Sequence, residues 1–153
     1  MAAAAIAMLE REGHEVVLEH HQSDALLSGV LASFDAVVVR SATKLTAAVI
    51  SASCDGSGGL KLIGRAGVGV DNIDLSAATE NGVLVFNTPR SSTQSVVELT
   101  IGHLLASVRH IGAGTQGLRQ GEWRKSGLRG TELSGKRLGF IGFGRIAQGV
   151  GRV

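Results

Sequence analysis

Three short stretches carry residue types that bind anions. The first is Arg40-Ser41, which ends the apolar run Ala36-Val-Val-Val39. A guanidinium at the C-terminal end of a buried strand stands where open parallel sheets hold their ligands. Its planar fork suits a carboxylate or a phosphate. The second, Gly64-Arg-Ala-Gly-Val-Gly-Val70, follows the apolar run 60–63. Successive backbone N–H groups in a glycine-rich turn can form an anion-binding nest, and Arg65 adds a second cation. The third, Gly142-Phe143-Gly144-Arg145-Ile146-Ala147, is a G-x-G-x-x-A turn after the apolar run 138–141. Its glycines permit a sharp turn and close approach to a pyrophosphate. Ala147 lets the next helix pack on the strand, and that helix points its first amides at the phosphates. Each stretch also has a plainer reading, as a surface arginine or as a turn that needs glycine only for its backbone conformation. Two arginine-bearing turns on one sheet edge favour an anionic ligand without naming it.

Other reactive side chains offer less. His20-His21 has no second cluster to complete a metal site, and no metal is expected. His103 and His110, seven residues apart on one long predicted helix, would share a face. Cys54 lies in a loop with no catalytic context. Trp123 stands among Arg119, Arg124, Lys125 and Arg129, which reads as a solvated connection or a basic patch.

The elements that would position these residues alternate. Helices are predicted over 2–11, 25–32, 43–53 and 75–81, and strands over 15–18, 36–39, 60–63 and 83–86. Near-continuous apolar strands between helices argue for an α/β fold with a parallel sheet covered on both faces. Residues 54–59 read as a loop. Ser95-Val-Val-Glu98 has the form of a capping box opening a long helix, with Val97, Ile101, Leu104, Leu105, Val108 and Ile111 at helical spacing. Residues 117–130 read as a polar connection, and the domain change falls between about 89 and 131.

Composition sets the outer bounds. The 153 residues, 44% hydrophobic and 18% charged, suffice for a buried core. A net charge of +2 without a basic block, together with four Phe, one Trp and no Tyr, argues against nucleic-acid binding. No run approaches a membrane span. A single cysteine favours a reducing compartment, and the cytoplasm is expected.

At suitable separations the chain carries Val39-Arg-Ser-Ala-Thr-Lys-Leu-Thr46, Gly64-Arg-Ala-Gly-Val-Gly-Val-Asp-Asn-Ile-Asp74, Phe86-Asn-Thr-Pro89 and Gly130-Thr-Glu-Leu-Ser-Gly-Lys136. With 139–147 these strings resemble the N-terminal part of the D-3-phosphoglycerate dehydrogenases, a branch of the D-isomer-specific 2-hydroxyacid dehydrogenases. The resemblance implies a flavodoxin-like, Rossmann-like substrate domain over 1–89. A crossover helix and connection would occupy 90–130, and the first strand, turn and helix of an NAD-binding Rossmann domain 131–153. It implies oxidation of 3-phosphoglycerate to 3-phosphohydroxypyruvate with NAD, the first step of serine synthesis. Arg40, Ser41 and Arg65 would face the substrate's phosphate and carboxylate, with the backbone around Ala66, Gly67 and Val68 on the carboxylate and Val68 also beside the nicotinamide. The pyrophosphate would rest on Gly142, Phe143, Gly144, Arg145 and Ile146. The helix after about Ser95 would serve a homodimer or homotetramer of the full-length protein.

Against that family pattern the first strand is missing, 54–59 looks inserted, and the catalytic Arg, Glu and His are expected beyond residue 153. Residues 1–153 alone are therefore expected to be inactive. Three further classes stay open: a glyoxylate or hydroxypyruvate reductase, a binding or corepressor protein on the same fold, and a fragment that dimerises with an intact partner.

Overall fold

The computed structural model describes residues 3–19, 29–54, 59–123 and 125–153. The chain forms two compact units, Met1–Asn87 and Thr88–Val153.

In the first unit three parallel strands, β1 (Ala36–Val39), β2 (Leu62–Arg65) and β3 (Leu84–Asn87), pair in the order β1-β2-β3. Their helices are α1 (Ala3–Arg11), α2 (Ala47–Cys54) and α3 (Leu75–Glu80). Strand side chains alternate between faces, so Val37, Val39, Ile63 and Val85 join the core cluster. That cluster also takes Leu45, Val49 and Ile50 from the segment around α2, and Ala77 and Ala78 from α3. On the opposite face Val38, Leu84 and Phe86 remain exposed. There the Phe86 ring lies across Gly64, where a Cβ would come within 2.9 Å of Phe86 Cζ.

Local chemistry explains where these elements start and stop. Asp74 caps α3 by accepting from the Ala77 amide at 2.9 Å, and Gly82, with φ 68°, turns the chain into β3. The predicted helix 43–53 begins only at Ala47, because Leu45 forms a parallel bridge with Ile73 and Thr46 Oγ1 accepts from the Val49 amide. The predicted strand 60–63 is displaced to 62–65. The amides of Leu60 and Lys61 donate to Ser53 and Asp35 carbonyls instead of the sheet. Arg65 thus ends a strand rather than lying in a turn, in register with Val39. Residues 14–19 form no strand, since no described segment offers them a ladder. Of the predicted helix 25–32, residues 25–28 fall outside the described residues, as do 55–58 of the loop 54–59, and 29–31 are helical.

At the N-terminal edge of the sheet, Lys61 Nζ donates to Asp35 Oδ1 at 2.6 Å. That hydrogen bond, and the ammonium charge behind it, hold the Asp35 carboxyl below its ordinary value.

The second unit contains α4 (Thr93–Val108), α5 (Ile111–Arg119), a 3-10 turn (Ser126–Leu128) and α6 (Arg145–Val150). The predicted capping box does not form. The helix starts before Ser95, Ser92 at its N-cap makes no side-chain bond, and Glu98 instead accepts from Gln94 Nε2 at 2.8 Å. The single long helix is in fact two, broken at His110, whose φ of 53° is left-handed. His110 therefore leaves the face of His103, and residues 117–119 are helical rather than part of the connection. Residues 138–141 form no strand, with Ile141 fully exposed, for want of a neighbouring strand among the described residues.

Helices α4 and α6 pack closely because Gly149 leaves room for Val97, which is buried. A Cβ on Gly149 would fall 2.5 Å from Val97 Cγ2. Gly149→Ala gains up to about 1 kcal/mol of helix propensity and loses about 1–3 kcal/mol to overpacking, a net destabilisation. Denaturant unfolding of Gly149→Ala, Val97→Ala and the double variant checks this. In the double variant the alanine at 149 should become neutral or stabilising. A penalty that persists there would place its cause elsewhere.

Candidate anion-binding site at the C-terminal strand ends

The C-terminal ends of β1, β2 and β3 bring the first two sequence-predicted stretches together. Val39 and Arg65 are register partners, so Arg40 and Arg65 leave neighbouring strands spaced about 5 Å apart. Arg40 and Ser41 are exposed, and Arg65 is half-buried. Neither guanidinium meets a carboxylate among the described residues, in contrast to the Asp35–Lys61 pair at the other edge.

Arg65 folds over the backbone of Gly67. A Cβ there would lie 2.8 Å from Arg65 Cζ and closer still to Nη1, so the guanidinium takes the place a side chain would fill. The amides after it divide into two pairs. Ala66 N–H donates to Val39 O at 2.9 Å and Gly67 N–H to Arg65 O at 2.8 Å. The amides of Val68 and Gly69 donate to no described group. Val68 is 42% exposed, so its amide lies in a loop that a small anion can reach.

Two asparagines hold these loops, and neither stood out as a functional residue in the sequence. Asn72 Nδ2 donates to Arg40 O at 3.0 Å and to Thr43 O at 2.7 Å, and its Oδ1 faces Arg65 Nε at 3.4 Å. Asn87 Nδ2 donates to Val68 O at 2.6 Å, tying the glycine loop to the end of β3. The first set of contacts spans 29 and 32 positions of sequence, so a lone loop asparagine gives no sign of them.

In the second unit Gly142 has φ 84°, and Gly144 opens α6 without a side-chain cap. The first helical acceptor bond comes from Gln148 to Gly144 O, so the amides of Arg145, Ile146 and Ala147 bond to no described carbonyl. Arg145 Nη2 donates to Pro89 O at 3.0 Å. Phe143 packs edge-on against Phe140 at 5.7 Å, and both rings remain exposed. A separate apolar pocket of about 270 Å³ lies beside α5, lined by Ala113, Leu118, Trp123 and Leu128 among others. Among the described residues no three His, Cys, Asp or Glu converge on a metal position, and no helix is long and apolar enough to cross a membrane.

Comparison with known proteins agrees with this architecture. Residues 1–147 match the model of the D-isomer specific 2-hydroxyacid dehydrogenase catalytic domain. The chain is 47% identical over 145 residues to a hydroxypyruvate reductase of Thermotoga maritima, covering 95% of this chain and 46% of that protein. It is 48% identical over 146 residues to a D-3-phosphoglycerate dehydrogenase of Methanocaldococcus jannaschii, covering 95% of this chain and 27% of the relative. Among solved structures, an NAD-dependent formate dehydrogenase of Staphylococcus aureus in complex with NAD superposes with a TM-score of 0.81 at 32% identity, over 97% of this chain and 45% of that one. The chain thus spans half or less of the length of these relatives. The parallel α/β sheet and the matched residues lead to one assignment: the chain belongs to the D-isomer specific 2-hydroxyacid dehydrogenase family.

Proposed function

We propose that residues 1–89 bind 3-phosphoglycerate, and that 131–153 open the NAD cradle of a dehydrogenase that oxidises it to 3-phosphohydroxypyruvate. The observation that carries this reading is the pair Arg40 and Arg65, at neighbouring strand ends without carboxylate partners among the described residues. A substrate with a carboxylate and a phosphate needs two such cations. Arg65 and the unbonded amides of Val68 and Gly69 suit the carboxylate. Arg40 and Ser41 suit the phosphate, through a guanidinium fork and a hydroxyl. The amides of Ala66 and Gly67 contribute by shaping the loop, since both are bonded within the protein.

NAD, when bound, supplies the acceptor for the hydride leaving the hydroxyl-bearing carbon. The residues present fit its pyrophosphate: Gly142 turns sharply, and the amides of Arg145 and Ile146 lack carbonyl partners beside the uncapped Gly144. We assign the acid/base role to no residue within 1–153. Self-association through α4 is part of the same proposal, supported by the exposure of Leu99 and Leu105.

Hydroxypyruvate or glyoxylate reduction is the second reading. It is favoured by the Thermotoga relative, of which the chain spans the larger share. Calorimetric titration with 3-phosphoglycerate, D-glycerate and hydroxypyruvate separates the two. One extra charge-assisted contact, about 1.5–3 kcal/mol, should favour 3-phosphoglycerate over D-glycerate by roughly ten- to hundredfold. Equal affinity for the two would remove the phosphate from the proposal, and tighter binding of hydroxypyruvate would favour the reductase.

A further inference from the structure

We propose that Asn72 is the positioning residue of this anion site, a single side chain that sets the Arg40 turn and the Arg65 guanidinium in one arrangement. The inference rests on the reading of Arg40 and Arg65 as substrate ligands and goes beyond it, because Asn72 would act through these residues and not on the substrate. Its amide has one chemically consistent orientation. The NH₂ faces two carbonyl acceptors, Arg40 O and Thr43 O, and the oxygen faces the Nε–H of Arg65. Turning the amide over would set an oxygen against two carbonyls and an NH₂ against a guanidinium.

The backbone of the same residue reinforces the link. Asn72 O accepts from Leu45 N at 2.8 Å, and Asp74 N donates to Leu45 O at 2.9 Å, so the loop after β2 is stitched to the loop after β1. With Asn72 buried, these bonds run little competition from water. Engaging Arg65 through Nε leaves its two terminal nitrogens for a ligand. The bare Cα of Gly67 gives the guanidinium room to lie where Asn72 directs it. A free arginine would have to be ordered by each ligand it binds, whereas here that entropy is already lost in the unliganded protein.

Arginine-edited ¹⁵N NMR of the whole chain, followed by titration with 3-phosphoglycerate, tests this. The unaltered protein should show a dispersed, slowly exchanging Nε–Hε signal for Arg65, identified by its loss in Arg65→Lys. Asn72→Ala should move that signal to the position of a solvated arginine and weaken 3-phosphoglycerate about tenfold, the loss of one well-aligned charged contact. Val83→Ala, a core variant at the N-terminal edge of the sheet that lowers stability away from these loops, should change neither reading. Asn72→Asp keeps an acceptor for Nε but loses both donors. Its Arg65 signal should persist while the amides of 40–43 exchange faster. An Arg65 signal unaltered in folded Asn72→Ala overturns the proposal. If that variant does not fold, Asn72 side-chain protons exchanging as fast as a solvated amide's in the unaltered protein overturn it equally. The expected NMR pattern without any response to 3-phosphoglycerate would support the positioning role and sink the substrate reading instead.

Discussion

Arg65→Gln weakens 3-phosphoglycerate by roughly ten- to hundredfold, and Gly67→Ala does nearly the same without touching a charge. The first figure follows from the about 1.5–3 kcal/mol that a charge-assisted hydrogen bond contributes, at about 1.4 kcal/mol per tenfold change. The second follows from geometry. A Cβ at Gly67 would occupy the space now held by the Arg65 guanidinium, so the side chain must swing away from Asn72. Because both changes remove the same contact, their effects should not add. Titration of the two single variants and the double variant gives the coupling directly. A double variant as weak as the product of the singles would mean that Gly67 acts independently of Arg65.

The largest stability effect is expected at Ile63. It is fully buried at the centre of β2, the middle strand, and packs into the cluster shared with Leu45, Val49 and Ile50. Ile63→Ala should cost about 2–5 kcal/mol, from lost burial and the cavity left behind. That is a large share of the roughly 5–15 kcal/mol that a typical domain possesses. Leu84→Ala makes the contrast, since Leu84 is 64% exposed on the other face of the sheet and should change stability by only about 0.5 kcal/mol. Urea unfolding of both variants reads the difference as a shift in midpoint at constant slope. Equal losses would show that the apolar face carrying Val38, Leu84 and Phe86 is covered in solution.

Much of the fold was legible because its signals are local. The run Ala36–Val39 reads as a buried strand from four residues alone; it is a strand, but only Val39 is buried and Val38 is exposed. The predicted helix 75–81 is likewise present, as α3 over Leu75–Glu80, with Gly82 in the left-handed conformation just after it. The three anion-suited stretches were legible for the same reason, since a glycine-rich turn and its arginine are contiguous. The helix break at His110 was not. The apolar spacing through Ile111 continues the pattern, while only the backbone at His110 interrupts it.

Residue order by itself therefore determined the α/β class, the positions of Arg40 and Arg65 after apolar runs, and the glycine turn at 142–147. Tertiary structure decided which apolar runs became strands. A helix closes its hydrogen bonds within itself, whereas a strand must find them on another segment. Residues 36–39, 62–65 and 84–87 found such partners, and 15–18 and 138–141 found none among the described residues. The same distinction explains Asn72. Its three acceptor and donor contacts come from residues 7, 29 and 32 positions away, so its role exists only once β1 and β2 lie side by side.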